Sequence, residues 1–149
     1  MRRLLRRTVE LVDSCEARNL SNIAHGLAKC RLVGLDDDTC ELFTAVAVAA
    51  VRGGLGGFNP QELANTAWAI ATATHAAPAL LNAIAVAAVP RLREFNARNL
   101  ANTMWALATA GHAAPALFDA IAAAAVPRLR EFNPQDLANT AWAFASAGQ

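Results

Sequence analysis

Phe95-Asn-Ala-Arg-Asn-Leu100-Ala-Asn-Thr-Met-Trp105-Ala-Leu-Ala-Thr-Ala110-Gly-His-Ala-Ala-Pro115-Ala-Leu-Phe-Asp-Ala120-Ile-Ala-Ala-Ala-Ala125-Val-Pro-Arg-Leu-Arg130-Glu131 is one unit of a tandem repeat. Phe58, Phe95 and Phe132 open successive copies, so the period is 37 residues. Leu63, Leu100 and Leu137 follow in register, as do Trp68, Trp105 and Trp142. Self-similarity at this period marks stacked supersecondary units, none of which can bury its apolar face alone.

Each unit reads as two helices. Asn59-Pro60-Gln61-Glu62 puts a cap residue, a proline at the first helical position and a carboxylate at the third, which is a capping box. Asn133-Pro134-Gln135-Asp136 repeats it with a shorter acid, and Asn96 keeps only the cap. The first helix runs to about Thr74, with Leu63, Ala64, Ala67, Ile70 and Ala71 on one face and Trp68 at its edge. Glu62, Asn65, Thr66, Ala69 and Thr72 fall opposite. Pro78 breaks that helix and begins a second one, carrying Leu80, Leu81, Ile84 and Ala88. Pro90 ends or kinks the second helix, leaving Arg91 to Glu94 as one further turn.

Outward from this core, residues 15–57 form a degenerate copy. Ala17-Arg18-Asn19-Leu20-Ser21-Asn22 matches Ala97-Arg98-Asn99-Leu100-Ala101-Asn102, and His25 replaces the tryptophan, loosening the packing there. Six extra residues fall between helices, most of them around Val33 to Asp38 and one in the glycine-rich Arg52 to Gly57. Residues 1–13 carry Leu4, Leu5, Val9 and Val12 at helical spacing and read as the second helix of a preceding unit rather than as a targeting segment, because Glu10 and Asp13 follow the four arginines closely and the segment runs straight into a repeat. Residues 58–94 and 95–131 are regular copies, and 132–149 is half of one. The expected fold is therefore all-α, one domain over residues 1–149, a right-handed α-solenoid of tandem antiparallel helix pairs. With Leu137, Trp142 and Phe144 lacking a following helix, the chain reads as part of a longer array or as the product of a truncated reading frame, and self-association through that half repeat is expected.

Composition excludes several classes. No run of about 18 strongly apolar residues appears, so no membrane helix is expected. Cys15, Cys30 and Cys40 are odd in number and lack metal-ligand spacing, so neither a zinc site nor a disulfide framework is indicated. Asp36-Asp37-Asp38 reads as a solvated loop leading into a cap at Asp38. His75 and His112 share the site after the first helix, where a histidine complements the helix dipole, and no nucleophile is paired with them. Neither catalysis nor a cofactor is expected.

Leu63-Ala64-Asn65-Thr66-Ala67-Trp68-Ala69 and Leu100-Ala101-Asn102-Thr103-Met104-Trp105-Ala106 resemble the octotricopeptide repeat, and are similar to the repeats of FAST-kinase-type mitochondrial RNA proteins and of RNA-editing substrate-binding complex proteins. The resemblance covers roughly residues 15 to 149. It implies binding of single-stranded RNA in a mitochondrion or chloroplast, in transcript stability, processing or translation, with other proteins of a ribonucleoprotein complex as partners.

In helical-repeat RNA readers one repeat contacts one base through a few side chains. Asn19, Glu62, Asn99 and Asp136 are equivalent, expected to be exposed, and differ between copies, as base-reading residues must; they serve equally as helix-start residues of relaxed identity. Asn22, Asn65, Asn102 and Asn139 never vary, and either hold every nucleotide alike or bond a neighbouring repeat. Thr66, Thr103 and Thr140 are weaker candidate contacts, and the tryptophans either stack bases or pack between repeats. From residue 58 onward Arg91, Arg93, Arg98, Arg128 and Arg130 balance Glu62, Glu94, Asp119, Glu131 and Asp136, so little charge is available to neutralise phosphates. Arg91, Arg98 and Arg128 are the phosphate contacts expected from position. The neutrality and the alanine-rich faces favour the alternative, a protein-interaction scaffold.

Overall fold

A computed structural model describes residues 2–29, 37–74, 76–112 and 115–148. The segment around Val33 to Asp36, with Cys30, His75 and Gln149, lies outside the described residues. Among those described, the chain is all helical: α1 (Arg2–Leu11), α2 (Ala17–Lys29), α3 (Asp37–Gly53), α4 (Pro60–Thr72), α5 (Pro78–Ala88), α6 (Ala97–Thr109), α7 (Pro115–Ala125) and α8 (Pro134–Ala147). Turns of 3-10 helix at Val12–Ser14, Leu55–Gly57, Val89–Glu94 and Val126–Glu131 lead into α2, α4, α6 and α8.

The helix boundaries follow local chemistry. Asn59 accepts from the Glu62 amide while the Glu62 carboxylate accepts from the Asn59 amide, each at 2.9 Å, and Asn133 and Asp136 make the same exchange. Asn96 only accepts, from the Asn99 amide at 2.8 Å. The α-helical bonding of α5 and α7 tightens to 3-10 one residue ahead of Pro90 and Pro127, since a proline cannot continue the ladder. At the other end of the first helices, Thr74, Gly111 and Gly148 occupy the same repeat position with φ of 52°, 67° and 73°. Glycine suits that left-handed cap; the β-branched Thr74 adopts it under strain. The helix α3 begins at Asp37, so Asp37 and Asp38 both sit in its first turn, where they complement the dipole, and Arg6 reaches Asp38 at 3.4 Å.

Packing makes two layers. In the first, α4 lies between α2 and α6, and α6 between α4 and α8; in the second, α1 packs on α3, α3 on α5, and α7 on the turn after α5. Hairpin contacts α2–α3, α4–α5 and α6–α7 join the layers. Between them run the fully buried Phe43, Leu63, Ile70, Leu80, Ile84, Phe95, Leu100, Leu107, Phe118 and Ile121. Phe144, expected to lack cover, packs edge-on against Phe118 with ring centroids 5.7 Å apart, because α7 of the preceding pair already lies over it. No helix among the described residues is long and apolar enough to cross a membrane.

Candidate functional site

A first-layer helix flanked on both sides and covered beneath keeps one narrow stripe open. That geometry corrects the single polar face expected for α4 and α6. Thr66, Ala69, Thr103 and Ala106 have no exposed surface, because the neighbouring helices lie over the flanks that carry them. The open positions recur at spacings of four, three and four residues: Gln61, Asn65, Trp68 and Thr72 on α4, then Arg98, Asn102, Trp105 and Thr109 on α6. Arg18, Asn22, His25 and Lys29 continue it on α2, and Gln135, Asn139, Trp142 and Ser146 on α8. Side by side, the four stripes form rows of matched residues crossing the helices.

The asparagine row is half-buried in α4, α6 and α8 and exposed in α2. Asn139 accepts from Gln135 Nε2 at 2.8 Å; the amides of Asn22, Asn65 and Asn102 have no hydrogen-bond partner among the described residues. They therefore do not bond the neighbouring repeat. Beside them runs the aromatic row. His25 lies 5.1 Å from Trp68, and Trp105 lies 6.3 Å from Trp142, each pair tilted. His25 thus keeps an aromatic contact in the tryptophan's place. Burial, and then the charge of Lys29, hold its imidazole below the ordinary value of 6.5. A groove of about 470 Å³ between α2 and α4 is lined by Arg18, Ser21, Asn22, Asn59, Gln61, Glu62 and Asn65.

The expected base readers move off this surface. Asn99 and Asp136 are buried, and Glu62 is half-buried. As third residues of their helices all three lie at the helix start, where the preceding helix covers them, and the Glu62 and Asp136 carboxylates fold back to accept from the Asn59 and Asn133 amides; the Ser21 hydroxyl, for instance, donates to the Glu62 carbonyl at 3.2 Å. Asn19 stays exposed but accepts from the Glu16 amide at 3.1 Å, which is the same capping role. The threonines turn inward. Thr66 and Thr140 donate to the carbonyls of Glu62 and Asp136 at 2.7 and 2.8 Å, and the buried Thr103 hydroxyl has no partner.

Arg91 and Arg128 are corrected too, from phosphate contacts to clamps. Arg91 donates to the Phe58 carbonyl at 2.7 Å and pairs with Glu94 at 2.9 Å; Arg128 does the same to Phe95 and Glu131, both at 2.7 Å. The hydrogen bond from Arg128, with its charge, keeps the Glu131 carboxyl below the ordinary range. Arg98 is exposed and carries no ion pair among the described residues, as does Arg18.

Gln61 and Gln135 were missed as candidates. They share a row with Arg18 and Arg98, vary between copies, and precede the invariant asparagine by four residues. That spacing to the asparagine was the available signal. Among the described residues no cluster of metal-ligating side chains forms. Cys15 and Cys40 are half-buried.

No curated protein matches this chain. The chain is similar to a family described as "Protein of unknown function (DUF1601)", whose model matches residues 47–66, 77–104 and 117–140, each span running from a second-layer helix through its 3-10 turn into the next first-layer helix.

Proposed function

We propose that the chain is a right-handed α-solenoid of helix pairs repeating every 37 residues, and that its first-helix layer binds single-stranded RNA. The observation that carries this reading is the row of asparagine amides, free of protein partners in Asn22, Asn65 and Asn102, running beside the row of aromatic rings. An amide with both donor and acceptor free can bond a nucleotide, and an indole face can stack a base for about 1–3 kcal/mol. The varying row, Arg18, Gln61, Arg98 and Gln135, is where base identity would be read, one base per repeat. Arg18 and Arg98 supply the phosphate contacts. The resemblance to octotricopeptide and FAST-kinase-type repeats points the same way, and with it to RNA metabolism in a mitochondrion or chloroplast.

The test is selection from a randomised single-stranded RNA pool at two salt concentrations. Enrichment of a short motif, weakened by Asn65→Ala with Asn102→Ala and re-specified by exchanging Gln61 and Arg98, is the expected result. Binding without sequence preference that vanishes with salt reduces the site to phosphate contact. No binding at either salt overturns the reading.

A second reading has its own observation. Val48, Val51, Val86, Val89 and Val126 are 41–69% exposed on the second-helix layer and the turns that end it. A groove of about 460 Å³ between α3 and the start of α5, lined by Ala47, Val48, Val51, Ala77, Pro78 and Leu80 among others, adjoins two of them. Such an apolar surface suits a protein partner. It lies in the opposite layer from the asparagine row, so the two roles do not compete for residues.

A further inference from the structure

The unit that ends at Gly57 lacks the arginine clamp of the two units after it. Leu55, Leu92 and Leu129 hold one repeat position, since the carbonyl of each accepts from the amide of the phenylalanine three residues on. That register puts Gly54 where Arg91 and Arg128 stand, and Gly57 where Glu94 and Glu131 stand. At the beginning of the same unit Cys15 takes the place of Phe58 and Phe95, its amide donating to the Val12 carbonyl as that of Phe58 does to Leu55. In the later units the arginine reaches back to the phenylalanine carbonyl, at 2.7 Å in both. The Cys15 carbonyl has no hydrogen-bond partner among the described residues.

A cleft of about 810 Å³ opens along the path that the arginine takes elsewhere. Its walls are the starts of α2 and α4 and the end of α3, and Cys15, Glu16, Gly54, Gly57 and Glu62 line it. At Gly54 and Gly57 nothing lies within 4 Å of where a Cβ would stand, and the φ of 74° at Gly54 is one that an arginine adopts only under strain. Arg52 also borders the cleft, but it pairs with Asp13 at 3.1 Å on the exposed side. The remaining charges of the cleft are Glu16 and Glu62 against Arg18, an excess of one acid. The Glu62 carboxylate holds the Asn59 amide; that of Glu16 makes no ion pair among the described residues.

We propose that this cleft binds a guanidinium group supplied by a ligand, as carried by the side chain of an arginine. The group donates to the Cys15 carbonyl, as Arg91 does to that of Phe58, and holds the Glu16 carboxylate as Arg91 holds Glu94. A planar fork serves a carbonyl and a carboxylate at once, whereas an ammonium has its donors on a single nitrogen. An arginine seated there ties the end of the first unit to its beginning, as the built-in clamps do in the units that follow. The site is independent of RNA binding by the asparagine row.

Titration of the ¹⁵N-labelled chain with N-acetyl-arginine amide, followed by NMR without RNA, tests this. The expected result is saturable shifts of the Glu16, Gly54 and Gly57 amide signals, and no saturable shift with N-acetyl-lysine amide. Glu16→Gln is expected to weaken binding about tenfold. Gly57→Glu restores the acid of the later units at a position with open space, and is expected to strengthen binding about tenfold. Free arginine forms a second arm: tighter binding than the capped amide assigns the site to the amino acid, and equal or weaker binding assigns it to the arginine of a partner protein. No saturable shift at these amides, equal binding of the lysine amide, or an affinity that either substitution leaves unchanged overturns the inference.

Discussion

At the scale of single residues, equivalent positions in the repeat carry different burdens. Thr66 and Thr140 satisfy their hydroxyls on carbonyls four residues back, whereas the fully buried Thr103 hydroxyl has no partner. An unmet buried hydroxyl costs about 1–3 kcal/mol, while an ordinary hydrogen bond contributes about 1 kcal/mol net. Thr103→Val, which keeps the shape, is therefore expected to raise the urea midpoint, and Thr66→Val to lower it. His25 gives a second test. Its Nδ1 is buried without a partner and its folded pKa is depressed, so the unfolded chain takes up a proton first as pH falls. Stability is unaffected above 6.5, falls as pH drops below 6.5, and levels off once the folded imidazole also protonates. His25→Trp, restoring the repeat residue, is expected to lose less stability than the parent between neutral pH and about pH 5 in denaturant titrations. The capping asparagines at 59, 96 and 133 were legible from their own neighbours. Asn99 and Asp136 were not: their variation between copies resembled that of a reading site, and their burial comes from the preceding helix lying over the helix start.

At the scale of elements, the prolines at 78, 90, 115 and 127 punctuate the chain as their chemistry requires, and the second helices end where expected. The turns after Pro90 and Pro127 were only half legible. Arg91 and Arg128 reach back 33 residues to the carbonyls that open the preceding first helix, while their guanidinium forks hold Glu94 and Glu131. Each clamp ties the end of one unit to the beginning of the same unit, and spends the arginine that was expected to meet phosphate. A lysine has three donors on a single nitrogen and no planar fork, so it cannot reproduce the paired grip on the carboxylate while reaching the carbonyl. Arg128→Lys is expected to cost about 1 kcal/mol in chemical denaturation. By contrast Arg98→Lys, at an exposed position with no ion pair, should leave the midpoint unchanged.

At the scale of the whole molecule, burial is set by how many neighbours each helix has. The same Leu-Ala-Asn-x-x-Trp-Ala segment is sealed on both flanks in α4 and α6 and open on one flank in α8, and its degenerate counterpart in α2 is open on the other. Near-identical sequence thus gives different surfaces, and no periodicity read within one copy distinguishes them. By itself the sequence determined the features that depend on local chemistry: helices from the spacing of apolar residues, their starts from caps and prolines, their ends from Pro90 and Pro127, and the 37-residue recurrence that places like residues in rows. The tertiary structure alone decided which residues stay accessible. A helix buried on three sides keeps only the stripe through Gln61, Asn65, Trp68 and Thr72, because neighbours separated by a whole repeat cover the rest.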